Sequence, residues 1–187
     1  EIPIVGICGG LQILGNVIHD DDKRESKHGT IEGLGLLDIE SSFSRADKIV
    51  TQSTATIPDD IDGIAGEIFK DIIGEEVSGY EIHEGTTELI SSSNLLNIKK
   101  GQGNNDDGKI DGASNGNAFA TYFHGIFHNY NFRREFLNYI RVKKGLEAKY
   151  GEDPYETQKD YSLNRLAEIV EENLDMDIID KLLFEKE

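Results

Sequence analysis

Near its start the chain carries IVGICGGLQILG (residues 4–15), and this stretch is the best indicator of its fold. An apolar run rich in β-branched residues enters a glycine-flanked corner, and a helix-compatible stretch follows it. The only cysteine of the sequence, Cys8, stands at the corner. This strand–turn–helix pattern is typical of a nucleophile elbow, in which the turn lifts the reactive side chain out of the sheet.

The elbow also gives Cys8 a chemical context. The N-terminus of the predicted helix, residues 10–18, directs partial positive charge at the sulfur, which favours the nucleophilic thiolate. Gly6 and Gly10 fit a strained turn in which strand and helix approach too closely for a Cβ. The alternative is a buried, unreactive cysteine beside a glycine turn. The flanking pattern favours the nucleophile.

The composition predicts one globular domain over residues 1–187, with 37% hydrophobic and 29% charged residues. The net charge is −17, so nucleic acid and anionic membrane surfaces would be repelled, and we expect neither as a partner. A single cysteine excludes an internal disulfide. The sequence has no signal-peptide pattern and no apolar run of the roughly 18 residues that a membrane helix needs. We therefore expect a cytoplasmic protein.

The pattern beyond the elbow predicts strands and then helices. Strands are expected within residues 29–39 and over 46–57, 64–70, 79–85, 94–99 and 118–123. Residues 101–116 lack the alternating carboxylates of a calcium loop, so we expect a flexible hairpin connection and no metal site. One helix is predicted from Asn131 to Gly145 and a last helix from near Ser162. Together they indicate an α/β sandwich closed by C-terminal helices.

Five histidines are candidates for the base that a cysteine nucleophile requires. His124 is favoured because it follows an apolar strand, at the edge where parallel sheets present reactive groups. His83 lies in a glycine-bracketed strand, where a substrate contact and a core position fit the pattern equally well. His19 and His28 are expected at the surface, and His128 in the framework or beside the site.

These motifs resemble those of the class I glutamine amidotransferases, and more narrowly those of the cobyric acid synthase family of cobalamin biosynthesis. Residues 6–12, GICGGLQ, follow the G-x-C-x-G-x-Q elbow of the superfamily. The narrower resemblance continues in chain order through IEGLGLLD (31–38), GYEIHEG (79–85), TYFHGIF (121–127), FRREFL (132–137) and the tail from Asn164 to Asp177. It thus covers nearly the whole chain.

The resemblance implies a class I glutamine amidotransferase-like (flavodoxin-like) sandwich that is truncated at its N-terminus. The first strands and a synthetase domain would precede residue 1, and an incomplete sheet would expose an apolar face and self-associate. The implied activity is that of a glutaminase, in which Cys8 attacks the side-chain amide of glutamine and His124 is general base and acid. The backbone N–H of Gly9 would be an oxyanion donor. Gln12 would contact the glutamine, and His83 is a second candidate contact.

The resemblance also implies where the ammonia goes. An ATP-dependent synthetase domain would use it to amidate side-chain carboxylates of the corrin adenosylcobyrinic a,c-diamide. ATP and Mg are expected there, and no cofactor is expected on this chain. Most class I enzymes have a glutamate two residues after the histidine, where this chain has Ile126, as is usual in the cobyric acid branch. The residue that orients His124 is therefore not identified from the sequence.

Three alternatives stay open. The acceptor of the ammonia would differ in a related a,c-diamide synthase or in an amidotransferase paired with a Mur-ligase-like enzyme. The missing triad acid is compatible with a non-catalytic docking module of the same fold. A cysteine hydrolase with another substrate is the third alternative. The joint presence of Cys8, Gln12 and His124 favours the glutaminase.

Overall fold

A computed structural model describes residues 2–43 and 48–184 of the chain. The described chain is a mixed α/β protein that falls into two compact units, one ending at Lys149 and one beginning at Tyr150. The first unit contains all the strands found in the described residues, and the second contains two helices. Across residues 2–43 and 48–184, the structure has no helix with the length and apolar character required to span a bilayer.

The described strands of the first unit form three sheets. In chain order they are β1 (Ile4–Ile7), β2 (Val17–His19), β3 (Ile31–Glu32), β4 (Ile39–Ser42), β5 (Ile49–Thr56), β6 (Glu76–His83), β7 (Thr86–Leu89), β8 (Leu96–Lys100), β9 (Ile110–Asp111), β10 (Ala113–Asn115) and β11 (Ala118–Thr121). The sheet orders are β1–β11–β10, β3–β2–β4–β7 and β6–β5–β8–β9. In the first sheet β1 runs parallel to β11, and Ile7 is paired with Thr121. Both strands therefore end at the same edge.

The described residues contain five α-helices. They are α1 (Gly9–Leu14), α2 (Gly63–Phe69), α3 (Tyr130–Lys143), α4 (Pro154–Asn173) and α5 (Met176–Phe184). Short 3-10 helices cover Lys70–Ile72 and Ile126–His128. The sequence prediction of a helix over 131–145 is confirmed by α3.

The first sheet is buried on both faces. Phe119 of β11 lies in one hydrophobic cluster, whereas its neighbours Ala118 and Ala120 lie in the other, as the alternation of a strand requires. In the first cluster the Phe69 ring stacks on Phe132 with 4.1 Å between centroids. This packing of α2 and α3 beneath the sheet fixes β1 and β11, whose carboxyl ends carry the candidate site.

The prediction of a strand over residues 64–70 is wrong, because this segment is helix α2 and the start of a 3-10 helix. Ile64, Ala65, Ile68 and Phe69 are buried. Their spacing of one, three and one residues is that of a single helix face. The strand predicted over 46–57 is confirmed for the part that β5 covers, and residues 46 and 47 lie outside the described residues.

Two other helix boundaries differ from the prediction. The elbow helix ends at Leu14 rather than residue 18, because Val17–His19 forms β2. Helix α4 begins at Pro154, eight residues before the predicted start. Asp153 caps it by accepting a hydrogen bond from the backbone N–H of Tyr155 at 2.9 Å. Proline in the first turn after an aspartate is a helix start signal. The predicted start near Ser162 follows instead from an apolar stripe that consists of Leu163, Leu166, Ile169, Val170 and Leu174.

The hairpin predicted within residues 101–116 is present, because β9 pairs antiparallel with β8, but the segment also packs into the protein. The segment contains strands β9 and β10, and Asn104 is fully buried. The Asn104 side chain accepts a hydrogen bond from Gly112 N at 2.7 Å and donates one to Gly112 O at 2.9 Å. These bonds hold the loop closed against the core.

Candidate active site

Cys8 occupies the corner between β1 and α1. Its backbone has φ 54° and ψ −113°, outside the regions that L-residues normally adopt. A Cβ on Gly6 would lie 2.7 Å from both Gly10 C and Gly10 O, so only glycine permits this approach of strand and helix. For Gly10 the predicted lack of room for a Cβ is wrong, because an added Cβ would have no neighbour within 4 Å. The strained, glycine-supported corner confirms the predicted elbow geometry.

The Cys8 side chain is partly exposed and lies against β6. Its Sγ is 3.4 Å from the carbonyl oxygen of Ile82, to which the thiol donates a hydrogen bond. Its backbone N–H donates to Thr121 O at 2.9 Å, and this bond ties the elbow to the end of β11. Cys8 is thus held between two strands, β6 and β11.

His124 follows β11 by three residues and is also held by β6. Its backbone N–H donates to Tyr80 O at 2.9 Å, and the N–H of Tyr80 donates to His124 O at 3.1 Å. The two rings stack with 5.0 Å between centroids and 12° between planes. The Nε2 atom of His124 is buried and has no hydrogen-bond partner in the described part of the chain.

Strand β6 therefore links the two predicted catalytic residues. Cys8 contacts Ile82 and His124 pairs with Tyr80, two residues away along the same strand. Residues two apart in a strand are separated by about 7 Å and face the same side. Together with the shared edge of β1 and β11, this places Cys8 and His124 in one locality.

Gly79 makes the approach of β6 possible. A Cβ at this position would lie 2.7 Å from His124 O and 3.2 Å from the Cβ of Phe123. A side chain there would push β6 away from the segment that carries His124. The glycine that opens the GYEIHEG motif is therefore required by the packing of the site.

Gly9, the predicted oxyanion donor, is the first residue of α1. The N–H groups of the first helical residues have no acceptor within their own helix. Gly9 directly follows Cys8 in the chain, and the N–H at this position is one of the oxyanion donors in nucleophile elbows.

Gln12 is buried beneath the elbow and belongs to a polar chain that the sequence did not predict. Its Nε2 donates to Glu84 O at 3.3 Å and to the Tyr122 hydroxyl at 3.2 Å. Tyr122 shares a 2.7 Å hydrogen bond with Thr87, which in turn shares one of 2.9 Å with Ser41. Burial raises the pKa of Tyr122 to about 12, so its hydroxyl is protonated at neutral pH. The Oε1 atom of Gln12 lies 4.0 Å from where a Cβ on Gly9 would stand.

His83 lies on the inner face of β6 and is paired with a buried carboxylate. Its ring stacks on Tyr122 with 3.8 Å between centroids, and its Nε2 is 3.2 Å from Glu81 Oε2. Because a carboxylate only accepts, Nε2 carries the proton of this bond. Nδ1 of His83 is buried and has no hydrogen-bond partner among the described residues. It is thus an unused buried polar atom on a ring that stacks on Tyr122, next to the Gln12–Tyr122 hydrogen bond.

Glu81 is an ionised carboxylate inside the protein. Burial alone raises its pKa, but hydrogen bonds from four donors outweigh that effect and hold the pKa of this carboxyl below its usual value. The donors are His83 Nε2 at 3.2 Å, Ser53 Oγ at 2.5 Å, Gly103 N at 2.7 Å and Gln102 N at 3.1 Å. The loop predicted to be flexible therefore supplies two of the four.

Asp111 is a second fully buried carboxyl that the sequence interpretation assigned to a loop. Burial raises the pKa of Asp111 to about 7, and the nearby charge of Glu81 adds to the increase. Hydrogen bonds from the Thr121 hydroxyl and from Tyr122 N, at 3.1 Å, oppose it. Asp111 thus holds Thr121 and Tyr122, which lead from β11 to His124, through hydrogen bonds.

The other three histidines are not among the residues gathered at β6, although His128 donates its backbone N–H to Gly125 O, next to His124, at 2.8 Å. His19 is half-exposed and 3.5 Å from Glu40, and His28 is exposed, as predicted. His128 is exposed in the 3-10 helix after His124. Within the described ranges, no three His, Cys, Asp or Glu side chains group closely enough to hold a metal ion.

Comparison with known proteins connects this geometry to a family. Residues 1–132 match the model of the CobB/CobQ-like glutamine amidotransferase domain. The chain belongs to this family. The predicted resemblance to cobyric acid synthases is confirmed, and so is the predicted α/β fold of the amidotransferase type.

The curated relatives of this glutamine amidotransferase domain include cobyric acid synthases. The chain is 48% identical over 184 residues to a probable cobyric acid synthase of Methanothermobacter thermautotrophicus and 46% identical to one of Methanosphaera stadtmanae. It is 41% identical to a cobyric acid synthase of Dehalococcoides mccartyi. These alignments cover 97–98% of this chain and 35–36% of the relatives, so the chain spans about a third of their length.

A solved structure supports the fold alone. The structure of PurLQS from Thermotoga maritima superposes with a TM-score of 0.51 at 23% identity, over 74% of this chain and 62% of that one. This likeness concerns the backbone fold alone, whereas the family assignment rests on the sequence.

Proposed function

We propose that this amidotransferase domain is a glutaminase in which Cys8 is the nucleophile and His124 the general base and acid. The observation that carries the proposal is the joint attachment of both residues to β6. Cys8 Sγ bonds to Ile82 O, and His124 forms a backbone bridge with Tyr80. Both follow parallel neighbouring strands that end at one edge of the sheet, the place where such sheets present reactive groups.

In the first half of the reaction Cys8 Sγ attacks the side-chain amide carbon of glutamine while the thiol proton passes to His124. A C–S bond forms, and the carbonyl oxygen becomes an oxyanion that accepts a hydrogen bond from Gly9 N–H. One such donor contributes about 3–4 kcal/mol to the transition state. The C–N bond then breaks, His124 returns its proton to the leaving nitrogen, and ammonia departs from a γ-glutamyl thioester.

In the second half a water molecule attacks the thioester. His124 takes a proton from the water, the C–S bond breaks, and the proton returns to the Cys8 sulfur. The products are glutamate and the free thiol. The cycle needs no redox partner and no metal, in keeping with the proposal that this chain binds no cofactor.

We assign substrate contacts to Gln12 and His83. Gln12 Oε1 lies beside the first residue of α1, while its Nε2 is held by Glu84 O and Tyr122. His83 keeps an unused Nδ1 because Nε2 faces Glu81. Among the described residues neither Gln12 Oε1 nor His83 Nδ1 has a hydrogen-bond partner, while the remaining polar atom of each side chain is held by a hydrogen bond. Such acceptors suit recognition of the N–H groups of glutamine.

For the whole protein, we propose that the ammonia serves an ATP-dependent synthetase part that amidates side-chain carboxylates of adenosylcobyrinic a,c-diamide. The support is the alignment with cobyric acid synthases over nearly the entire chain, including the tail beyond residue 132. ATP and Mg would be bound by that part, in the cytoplasm. An a,c-diamide synthase or a Mur-ligase-like partner is the alternative acceptor system, and it is distinguished by supplying each acceptor with glutamine and ATP and identifying the amide formed.

The test of the glutaminase is labelling with a glutamine-analogue electrophile, followed by intact mass. We expect one adduct on the natural full-length protein, protection by excess glutamine, and no adduct on Cys8→Ala. Asn97→Ala, an exposed substitution on β8, is the matched control and should label like the wild type. Absence of labelling on the folded wild type, or equal labelling of Cys8→Ala, would contradict the proposal and favour the docking module.

A further inference from the structure

The position that holds the third triad residue in most class I enzymes cannot orient His124 here. Ile126 occupies it, and its side chain is buried in the first hydrophobic cluster. The two buried carboxylates near the site are engaged elsewhere. Glu81 accepts from His83, Ser53 and two loop N–H groups, and Asp111 accepts from the start of the TYFHG segment. Neither has a hydrogen bond to His124 in the described structure.

We propose that Tyr80 is the positioning residue of His124, and that an aromatic stack replaces the carboxylate of a Cys–His–acid triad. The inference rests on the proposed glutaminase function. Tyr80 contacts His124 in two ways that act together. The backbone bridge fixes the Cα of His124, and the stacked rings, at 12° between planes, fix the orientation of the imidazole.

Tyr80 is itself well placed to act as a support. It pairs with Gln52 across the antiparallel β5–β6 ladder, whose register is unbroken from Ile49–His83 to Thr56–Glu76. Gly79, just before it, permits the close approach to His124. The support is therefore anchored in a sheet rather than in a loop, and sheets hold a side chain more precisely.

The stack supplies the orientation that is otherwise missing. The buried Nε2 of His124 has no hydrogen-bond partner in the described residues, so no bond at that atom sets the rotation of the ring. Offset aromatic stacking at centroid distances of 4.5–7 Å is attractive, and the 5.0 Å observed lies in this range. A flat ring face restricts the imidazole plane, whereas an aliphatic side chain does not.

The experiment compares Tyr80→Phe, which keeps the ring, with Tyr80→Ile, which keeps strand propensity without a ring. Glutamate release from glutamine is measured on the natural full-length protein. We expect Tyr80→Ile to lower kcat roughly three- to tenfold with KM unchanged, and Tyr80→Phe to restore kcat to within about twofold. Gln52→Ala, on the same sheet face, is the control for general effects on β5 and β6. Tyr80→Met replaces Tyr80→Ile if thermal unfolding shows that the latter does not fold.

A double-mutant cycle separates this inference from the proposed function. If Tyr80 acts through His124, the Tyr80→Ile substitution causes no further loss in a His124→Ala background. An equal loss in both backgrounds, wild-type kcat in the ring-less variants, or failure of Tyr80→Phe to restore activity would overturn the positioning role. An inactive wild type, or wild-type activity in His124→Ala, would instead overturn the glutaminase proposal itself.

Discussion

Replacing Asp111 with asparagine is expected to stabilise the chain relative to the wild type as the pH rises. The folded chain retains the Asp111 proton up to a pKa of about 7, whereas the ordinary value is 3.8. Between these values the folded state binds more protons than the unfolded state, so the wild-type free energy of unfolding falls as the pH increases. Above pH 7 the decrease is complete. Asparagine carries no charge at any pH and does not show this loss.

The size of the expected change in unfolding free energy depends on how much of the pH interval between 3.8 and about 7 the measurements cover. The sequence pI is about 4.6, so measurements from pH 5.5 to 8.5 stay clear of it. Over that range the wild type should lose roughly 2 kcal/mol relative to Asp111→Asn. Asparagine can keep both contacts, because its Oδ1 accepts from Tyr122 N and its Nδ2 donates to the Thr121 hydroxyl oxygen.

The assay is urea unfolding of both proteins at steps of pH, with Asp107→Asn as the control. Asp107 is an exposed carboxylate of the same loop, so its removal reports the effect of one fewer acidic charge on a chain of net charge −17. The reasoning is refuted if the difference between Asp111→Asn and the wild type does not change with pH, or if it shrinks toward pH 8.5.

Three other substitutions test the packing and charges around the site. Gly79→Ala should displace β6 from His124 and lower glutaminase activity on the order of 100-fold, because the new Cβ would lie 2.7 Å from a backbone oxygen; wild-type kcat would refute this. Phe69→Ala should lower the free energy of unfolding in urea by about 3–5 kcal/mol, because the fully buried Phe69 ring stacks on Phe132 at 4.1 Å. The control, Ile73→Ala at an exposed position, should lower it by under about 0.5 kcal/mol. Glu81→Gln should lower the free energy of unfolding by about 1–3 kcal/mol at pH 7. The difference from the wild type should vanish as the pH falls below 4.5 through the lowered pKa of Glu81. A difference that persists at low pH would contradict the ionised state of Glu81.

The elbow could be predicted from the sequence because its determinants are local. A strand, a glycine corner and a helix start follow one another within residues 4–15, and the strain falls on the single residue between them. His124 was predicted for a similar reason, since it directly follows the apolar strand β11. Neither prediction needed information from distant parts of the chain.

The role of β6 could not be predicted in this way. GYEIHEG was recognised as a motif, but its contacts with Cys8 and His124 join residues far apart in sequence. The same holds for Asp111 and Asn104. Their surroundings are rich in Gly, Asn and Asp, which usually indicates a solvated loop. Only the tertiary structure shows that their side chains satisfy buried backbone groups.

Other errors came from signals that were present in the sequence. The apolar residues between Ile64 and Phe69 have helical spacing, but a window this short does not separate a helix from a strand by periodicity alone. The Asp153–Pro154 start of α4 precedes the apolar stripe by two turns, so the stripe alone placed the helix too late.

The most direct test of the central claim is an acid-quenched single turnover with glutamine, read by intact mass and peptide mapping. The mechanism predicts a transient mass increase equal to one γ-glutamyl group, located on Cys8 and absent from Cys8→Ser. His124→Ala should form it much more slowly, since general base catalysis contributes about 10²–10⁴-fold. Glutamate release without any acyl group on Cys8, or an acyl group at another residue, would contradict the account.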